Sequence, residues 1–546
     1  MSGESWFFYG RDGCIRTNSA AHGDTFALLV RGGVVAALGD EAVRMADAER
    51  PDRVVDVGRG LLMPAFGDGH AHPMFGGLEA FGPAVKDCAS VAEIVAEVGA
   101  WAAANPGAEW IVGGSYDPTL APEGAFDARW LDEAVADRPV VLRASDYHTV
   151  WCNSEALRRS GITEATPDPR LGWIVRREDG RTPLGTLREW HACDLVLDRI
   201  PGRSVEELAE ALHIAGRKYA EFGVTWVQDA WVEPDMVAPY LAAEAAGLLW
   251  FRANLAFRAD PDRWRDAQSA AFPAARARIA AESAGRVTAH TVKFFADGVI
   301  ESGTAAMLEP YCDAPHSCGM PVWSPDELRE AVVAFDALGF QVHIHAIGDA
   351  GVRAALDAVA AAREANPEWD RRPVIAHVQL VDPADLDRFA ELGVIANFEP
   401  LWAQLDALQT DLTIPRLGGE RAALQYPMGG LAARGTRLSF GSDWPVSSLV
   451  PLDGIQVAVT RQTADGKPDA DGWTPHQRLT VDQALDAYTA GVAYQAFADD
   501  RAALVPGAPA DLVLLWRDPR ESAPDLIANI TVRATWLGGE KTYGTP

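Results

Sequence analysis

Short, β-branched apolar segments alternate along this chain with Ala- and Glu-rich helical stretches, and that alternation leaves few folds open. Stretches such as "SVEELAEALHIAGRKYAEFG" (204–223) and "SPDELREAVVAFDALGF" (324–340) read as amphipathic helices. The second opens on Ser-Pro-Asp-Glu, a start that satisfies the free amides of a first turn. Strand, helix and strand in repeated succession give a parallel sheet in an α/β fold. The strand candidates, in order, are Pro64 to His70, "PVVLRAS", "GVTWVQDA", "HTVKFFADG", "FQVHIHAIGD", "PVIAHVQLV", "GVIANFEP" and "RLSFGSDWP". Eight candidates fit a (β/α)8 barrel of the TIM type.

The two ends have a different character. "ALLVRGGVVAALGD" reads as a hairpin-like pair around Gly32 and Gly33, and "LVPGAPADLVLLWRDP" and "ATWLGGEKTY" are again strand and turn. Residues 1–63 and 495–546 are therefore expected to share a small β-sandwich, with the barrel over 64–494. The segment from about 75 to 200 is too long for one strand-helix step and rich in Trp, Gly and Pro. It is expected to be an insertion over the barrel mouth, where loops shape active sites.

Composition narrows the class of partner. A formal charge of −29 over 546 residues repels phosphate, which disfavours nucleic acid and anionic membranes. The six cysteines show no Cys-x-x-Cys spacing, no apolar run reaches transmembrane length, and the first residues lack the order of a secretory signal. The expected location is the cytoplasm and the expected partner a small-molecule substrate, with self-association left open up to a homodimer.

Polar groups recur at the C-terminal ends of the strand candidates: His70 and His72, Lys293, His343 and His345, His377, and Asp443. Residues i and i+2 of a strand share a face, so His70 and His72 are placed to grip one ion. Each residue alone is explained by an ordinary hydrogen bond or helix cap. Together they set several imidazoles, a carboxylate and a buried amine on one rim, a combination costly to bury unless it holds metal.

The segments "PAFGDGHAH", "DYHTVWCNSEAL", "GWIVRREDGRTPLGTLRE", "TVKFFADGVIESGTA", "VHIHAIGD", "IAHVQL" and "GSDWPV", in this order, resemble the metal-dependent amidohydrolase superfamily. Within it they are similar to the amidohydrolase-3 group of YtcJ-like proteins and N-substituted formamide deformylase, over nearly the whole chain. One departure is Gly67, where the superfamily more often shows Pro-Gly-Phe-Ile-Asp before the first histidine.

The resemblance implies metal ligands at His70, His72, Lys293, His345, His377 and Asp443, with one or two divalent ions. Strand alternation alone does not choose between His343 and His345; the "HAIGD" motif favours His345, leaving His343 behind it. A buried Lys293 tends to lose its proton, and as a neutral amine it can react with CO₂ to give N6-carboxylysine, the anionic bridging ligand that the resemblance implies; the alternative is an unmodified Lys293 beside a single ion. Mixed imidazole and oxygen donors suit Zn²⁺ better than Mg²⁺, with iron, manganese and cobalt also open.

A metal lowers the pKa of bound water to about 7, so hydroxide is available at neutral pH. Asp443 is the expected proton shuttle to the leaving nitrogen, and His148 the expected catalytic partner of the oxyanion. Tryptophans such as Trp151, Trp173, Trp231, Trp402 and Trp444 suggest an apolar pocket with few polar anchors. The expected function is hydrolysis of the carbon–nitrogen bond of a small N-substituted amide or formamide. The alternatives are a cyclic amide, urea or carbamate hydrolase, a heterocycle deaminase and, remotely, a non-catalytic scaffold.

Overall fold

The computed structural model describes residues 4–546, and eight parallel strands form its largest sheet. They are β1 (Phe66–Ala71), β2 (Val224–Val232), β3 (Arg252–Arg258), β4 (Val287–Phe295), β5 (Gln341–Ala346), β6 (Val374–His377), β7 (Ile395–Phe398) and β8 (Leu438–Phe440). Neighbours in sequence are neighbours in the sheet. The ring closes just beyond β8, where the Ser442 and Asp443 amides donate to the His70 carbonyl and the His72 amide donates to that of Trp444.

Closure brings two backbones into contact at Gly441, where a Cβ would lie 2.7 Å from the His70 nitrogen. The glycine at 67 has a similar cause, since a Cβ there would lie 2.4 Å from a Val492 methyl. Val492 fills the space that an apolar side chain at 67 would otherwise take. Between strands, the helices Val205–Glu221 and Pro325–Ala337 begin with reciprocal capping by Ser204 with Glu207 and Ser324 with Glu327, so the Ser-Pro-Asp-Glu start is real.

The strand list needs one correction. "PVVLRAS" is not a barrel strand, and the third barrel strand is "RANLAFR", β3. The apolar signal of β3 is broken by Asn254, which points into a polar layer of the barrel interior. Its amide donates to Gln228 at 2.9 Å and to Thr291 at 2.7 Å, and Thr291 donates to Gln341 at 2.7 Å. Val140–Ala144 looks like a barrel strand because it too is buried on both faces, with Val140 and Leu142 in one core and Val141 in another.

That strand belongs to a five-stranded sheet with Ile111–Tyr116, Thr149–Cys152, Trp173–Arg176 and Pro183–Arg188, inserted between β1 and β2. The chain ends build a sandwich of two four-stranded sheets. One holds Trp6–Tyr9, Ala27–Arg31, Val34–Leu38 and Arg53–Asp56; the other holds Leu61–Pro64, Leu512–Leu515, Val532–Leu537 and Glu540–Gly544. Trp6 and Phe8 from one end pack edge-on against Trp536 from the other, with ring centroids 5.4 and 5.1 Å apart. Among the described residues, no helix is long and apolar enough to cross a membrane.

Candidate active site

The C-terminal ends of five barrel strands bring the sequence-selected residues together. Asp443 Oδ1 lies 2.9 Å from His72 Nε2 and 3.6 Å from His70 Nε2, and one donor atom from each of the three falls within a 4.8 Å group. Lys293 Nζ is 3.2 Å from His70 Nε2. The His377 ring sits 4.6 Å from that of His70 and 4.5 Å from that of His345. His343 lies behind them, its Nε2 2.9 Å from His70 Nδ1, so it orients His70 and does not face the others. All seven side chains are buried.

Carboxylates and carbonyls set which nitrogen each ring presents. Glu399, just past β7, holds His377 Nδ1 at 2.8 Å and leaves Nε2 to face the centre. The Gly298 carbonyl holds His345 Nε2 at 3.0 Å, leaving Nδ1. Asp68 on β1 accepts from the Ser442 amide and hydroxyl at 3.0 and 2.5 Å, tying the Asp443 turn to the strand that carries His70. His377 and Asp443 both sit at positive φ, +72° and +52°, in a region that side chains disfavour and that packing must enforce. Glu399 and Asp68 were absent from the sequence reading. Glu399 had the same signal as the histidines, a charged residue at the end of the strand candidate "GVIANFEP". Glu399→Gln is expected to weaken metal affinity about 10- to 100-fold by loosening His377, which metal titration of the purified variant would measure.

His148, carried by the inserted sheet, reaches the same place, its ring 5.7 Å from that of His345. Its Nδ1 lies 2.9 Å from Glu189, itself fixed by Thr304 at 2.5 Å. Burial disfavours the imidazolium, but the charge and hydrogen bond of Glu189, with Asp146 beyond, outweigh it and raise His148 above its ordinary range. Burial drives the other imidazoles down: His70 and His345 fall well below the usual histidine value and His377 falls to about 3. Burial also takes the Lys293 amine down to about 7, against the pull of Asp443 and Glu399. Asp443 moves the other way: burial opposes its charge, yet His72, His377 and Lys293 hold it below the ordinary carboxylate range.

A cavity of about 410 Å³ opens onto His148, His345, His377 and Asp443. Of the tryptophans singled out above, Trp402 alone lines it, stacked parallel on His377 at 5.3 Å and pinned by Ser447 at 3.0 Å. Trp151 is core of the insertion, and Trp444 packs against Tyr219. The expectation of few polar anchors also needs correction, because four carboxylates besides Asp443 share the wall.

The sequence profile of the amidohydrolase family matches residues 53–543, almost the whole chain. The chain belongs to the amidohydrolase family. Among its relatives, the Arabidopsis thaliana protein LONG AFTER FAR-RED 3 is 32% identical, over 88% of this chain and 82% of its own length. N-substituted formamide deformylase of Arthrobacter pascens is 27% identical over 97% of both chains. The crystal structure of an uncharacterized metal-dependent hydrolase from Pyrococcus horikoshii superposes with a TM-score of 0.74 at 23% identity, covering 95% of this chain and 99% of that one. In class, this amidohydrolase is a metal-dependent hydrolase.

The residues fit a metal on structural grounds as well. Asp443 Oδ1 is buried and lacks a hydrogen-bond partner although His72 Nε2 is 2.9 Å away, as when two donors aim at a shared point rather than at each other. Burial favours the neutral form of His70, His345 and His377, the state in which an imidazole can donate a lone pair.

Proposed function

We propose that this amidohydrolase hydrolyses the carbon–nitrogen bond of a small N-substituted amide, with a formamide as the first substrate to test. The observation that carries the reading is the cavity that places Asp443 and His148 around one substrate-sized space. Metal ligands are proposed at His70, His72, Lys293, His345, His377 and Asp443, with Zn²⁺ the ion their mixed imidazole and oxygen chemistry favours. A divalent ion bound there supplies Lewis acidity and makes water acidic enough to attack at neutral pH.

The chain's own groups do the rest. The Asp443 carboxylate accepts a proton from the attacking water as its oxygen bonds to the carbonyl carbon. It then returns that proton to the nitrogen as the carbon–nitrogen bond breaks, so a carboxylate and an amine leave. His148, fixed by Glu189 and pushed by it toward the protonated form, donates from Nε2 to the carbonyl oxygen as negative charge gathers there. His148→Ala is therefore expected to lower kcat about 10²- to 10³-fold with metal content unchanged, checked by assay and metal analysis of one preparation.

The reaction itself is tested by product analysis with zinc-loaded protein and N-benzylformamide. Formate and benzylamine in equal amounts support it. No turnover of this or any other N-substituted amide, with release of free ammonia from a heterocyclic amine instead, would replace it with deamination.

A further inference from the structure

The cavity wall is unusual in its charge. Asp117 and Asp146 come from the insertion, Glu301 follows β4 and Asp406 follows β7, and no lysine or arginine joins them among the described residues. Their partners are neutral. Asp117 accepts from Thr119, Asp146 from the His148 amide, Glu301 from the Thr413 hydroxyl at 2.7 Å and Asp406 from the Gln409 amide at 3.0 Å. Arg188 lies near enough to Asp146 to feel its charge, but its guanidinium donates to the Glu123 carbonyl and stands outside the lining. The lining imidazole of His148, whose pKa is raised, spends its Nδ1 on Glu189.

The like charges also feel one another. Burial raises Asp406 and Asp146 first; Asp117 adds to the one, while on the other His148 opposes and Glu189 and Glu301 add. Carboxylates crowded around a half-apolar space with no lysine or arginine in its lining cost free energy in the empty protein, and a cation entering that space lowers the cost. The inner end of the same space is lined by Asp443, His345 and His377, so a ligand held by this wall lies against the residues of the candidate active site. Trp402, Leu401, Val446 and Tyr426 give the same wall an apolar and aromatic part, suited to the body of such a ligand.

We propose that Asp117, Asp146, Glu301 and Asp406 select a substrate bearing an ammonium or amidinium group on an apolar body, so that the amide hydrolysed is that of a basic amine. This rests on reading the cavity as the substrate pocket of the reaction above. It excludes N-acyl amino acids and other anionic amides as good substrates.

The test is calorimetric titration of zinc-loaded, full-length protein with benzamidine and with benzamide, which share a ring and differ in charge. Benzamidine is expected to bind at least about tenfold more tightly. That ratio should fall toward one in the D117N/D406N variant, where each Asn keeps an acceptor oxygen for the local turn. In the wild type it should shrink as ionic strength rises from about 20 mM to about 500 mM, a readout that needs no variant. Equal affinities, or a ratio that neither salt nor substitution moves, would overturn the selection. Binding is read without turnover, so the two claims fail separately. Hydrolysis without the charge preference overturns this proposal alone, and the preference without hydrolysis overturns only the reaction.

Discussion

Lys293→Ala is expected to lower turnover at least about 10³-fold, since the charge stabilisation that a metal centre supplies is worth several kcal/mol. We propose that Lys293 carries a carbamate bridging two ions, so a short carboxylic acid such as propionate is expected to restore part of the turnover by standing in for it. The physical basis is the position of the amine. Lys293 is fully buried on β4, 3.2 Å from His70 Nε2, and burial brings its pKa to about 7. An ordinary lysine is protonated almost throughout at neutral pH, because its pKa is about 10.4. Here the neutral amine predominates as pH rises above about 7, and that is the form that adds to CO₂ with loss of one proton. The sign of the pH dependence follows. At fixed dissolved CO₂, reactivation of carbamate-depleted protein should be fast above about 7 and slow progressively below it. A fully metallated and active Lys293→Ala without added acid would reject the bridging role.

Asp443→Asn is expected to hold metal nearly as the wild type does yet turn over about 10²- to 10⁴-fold more slowly, the range of a general acid-base group. Asparagine keeps the shape and offers an amide oxygen, but it carries no proton at any working pH. Metal content and kcat measured on the same preparation separate the two roles that the geometry allows. If both fall in proportion, Asp443 acts first as a ligand, in keeping with its 2.9 Å approach to His72 Nε2. If neither falls, the residue serves only the turn that Ser442 ties to Asp68.

Much of this site could be read from sequence because barrels place chemistry at strand ends and strands alternate with a period of two. His70 and His72 share a face for that reason. The same period left His343 and His345 equivalent, and tertiary contact separates them: His343 spends its Nε2 on His70, whereas His345 lines the cavity. The third strand went unrecognised because Asn254, an inward polar residue, interrupts its apolar run while finding its partners on the neighbouring strands. No local pattern announces such a layer. Glu189 was in view as the last residue of "GWIVRREDGRTPLGTLRE", but its partner His148 is 41 residues away on another strand. The charged cavity wall was out of reach for the same reason, being assembled from four separate loops.

The most direct test of a metal centre built from these strand ends is an anomalous difference map at the zinc edge from crystals of active, zinc-loaded protein. The expected result is one or two peaks enclosed by His70, His72, Lys293, His345, His377 and Asp443, with density continuing past Lys293 Nζ. Active protein whose zinc peaks lie elsewhere, or nowhere, would contradict it.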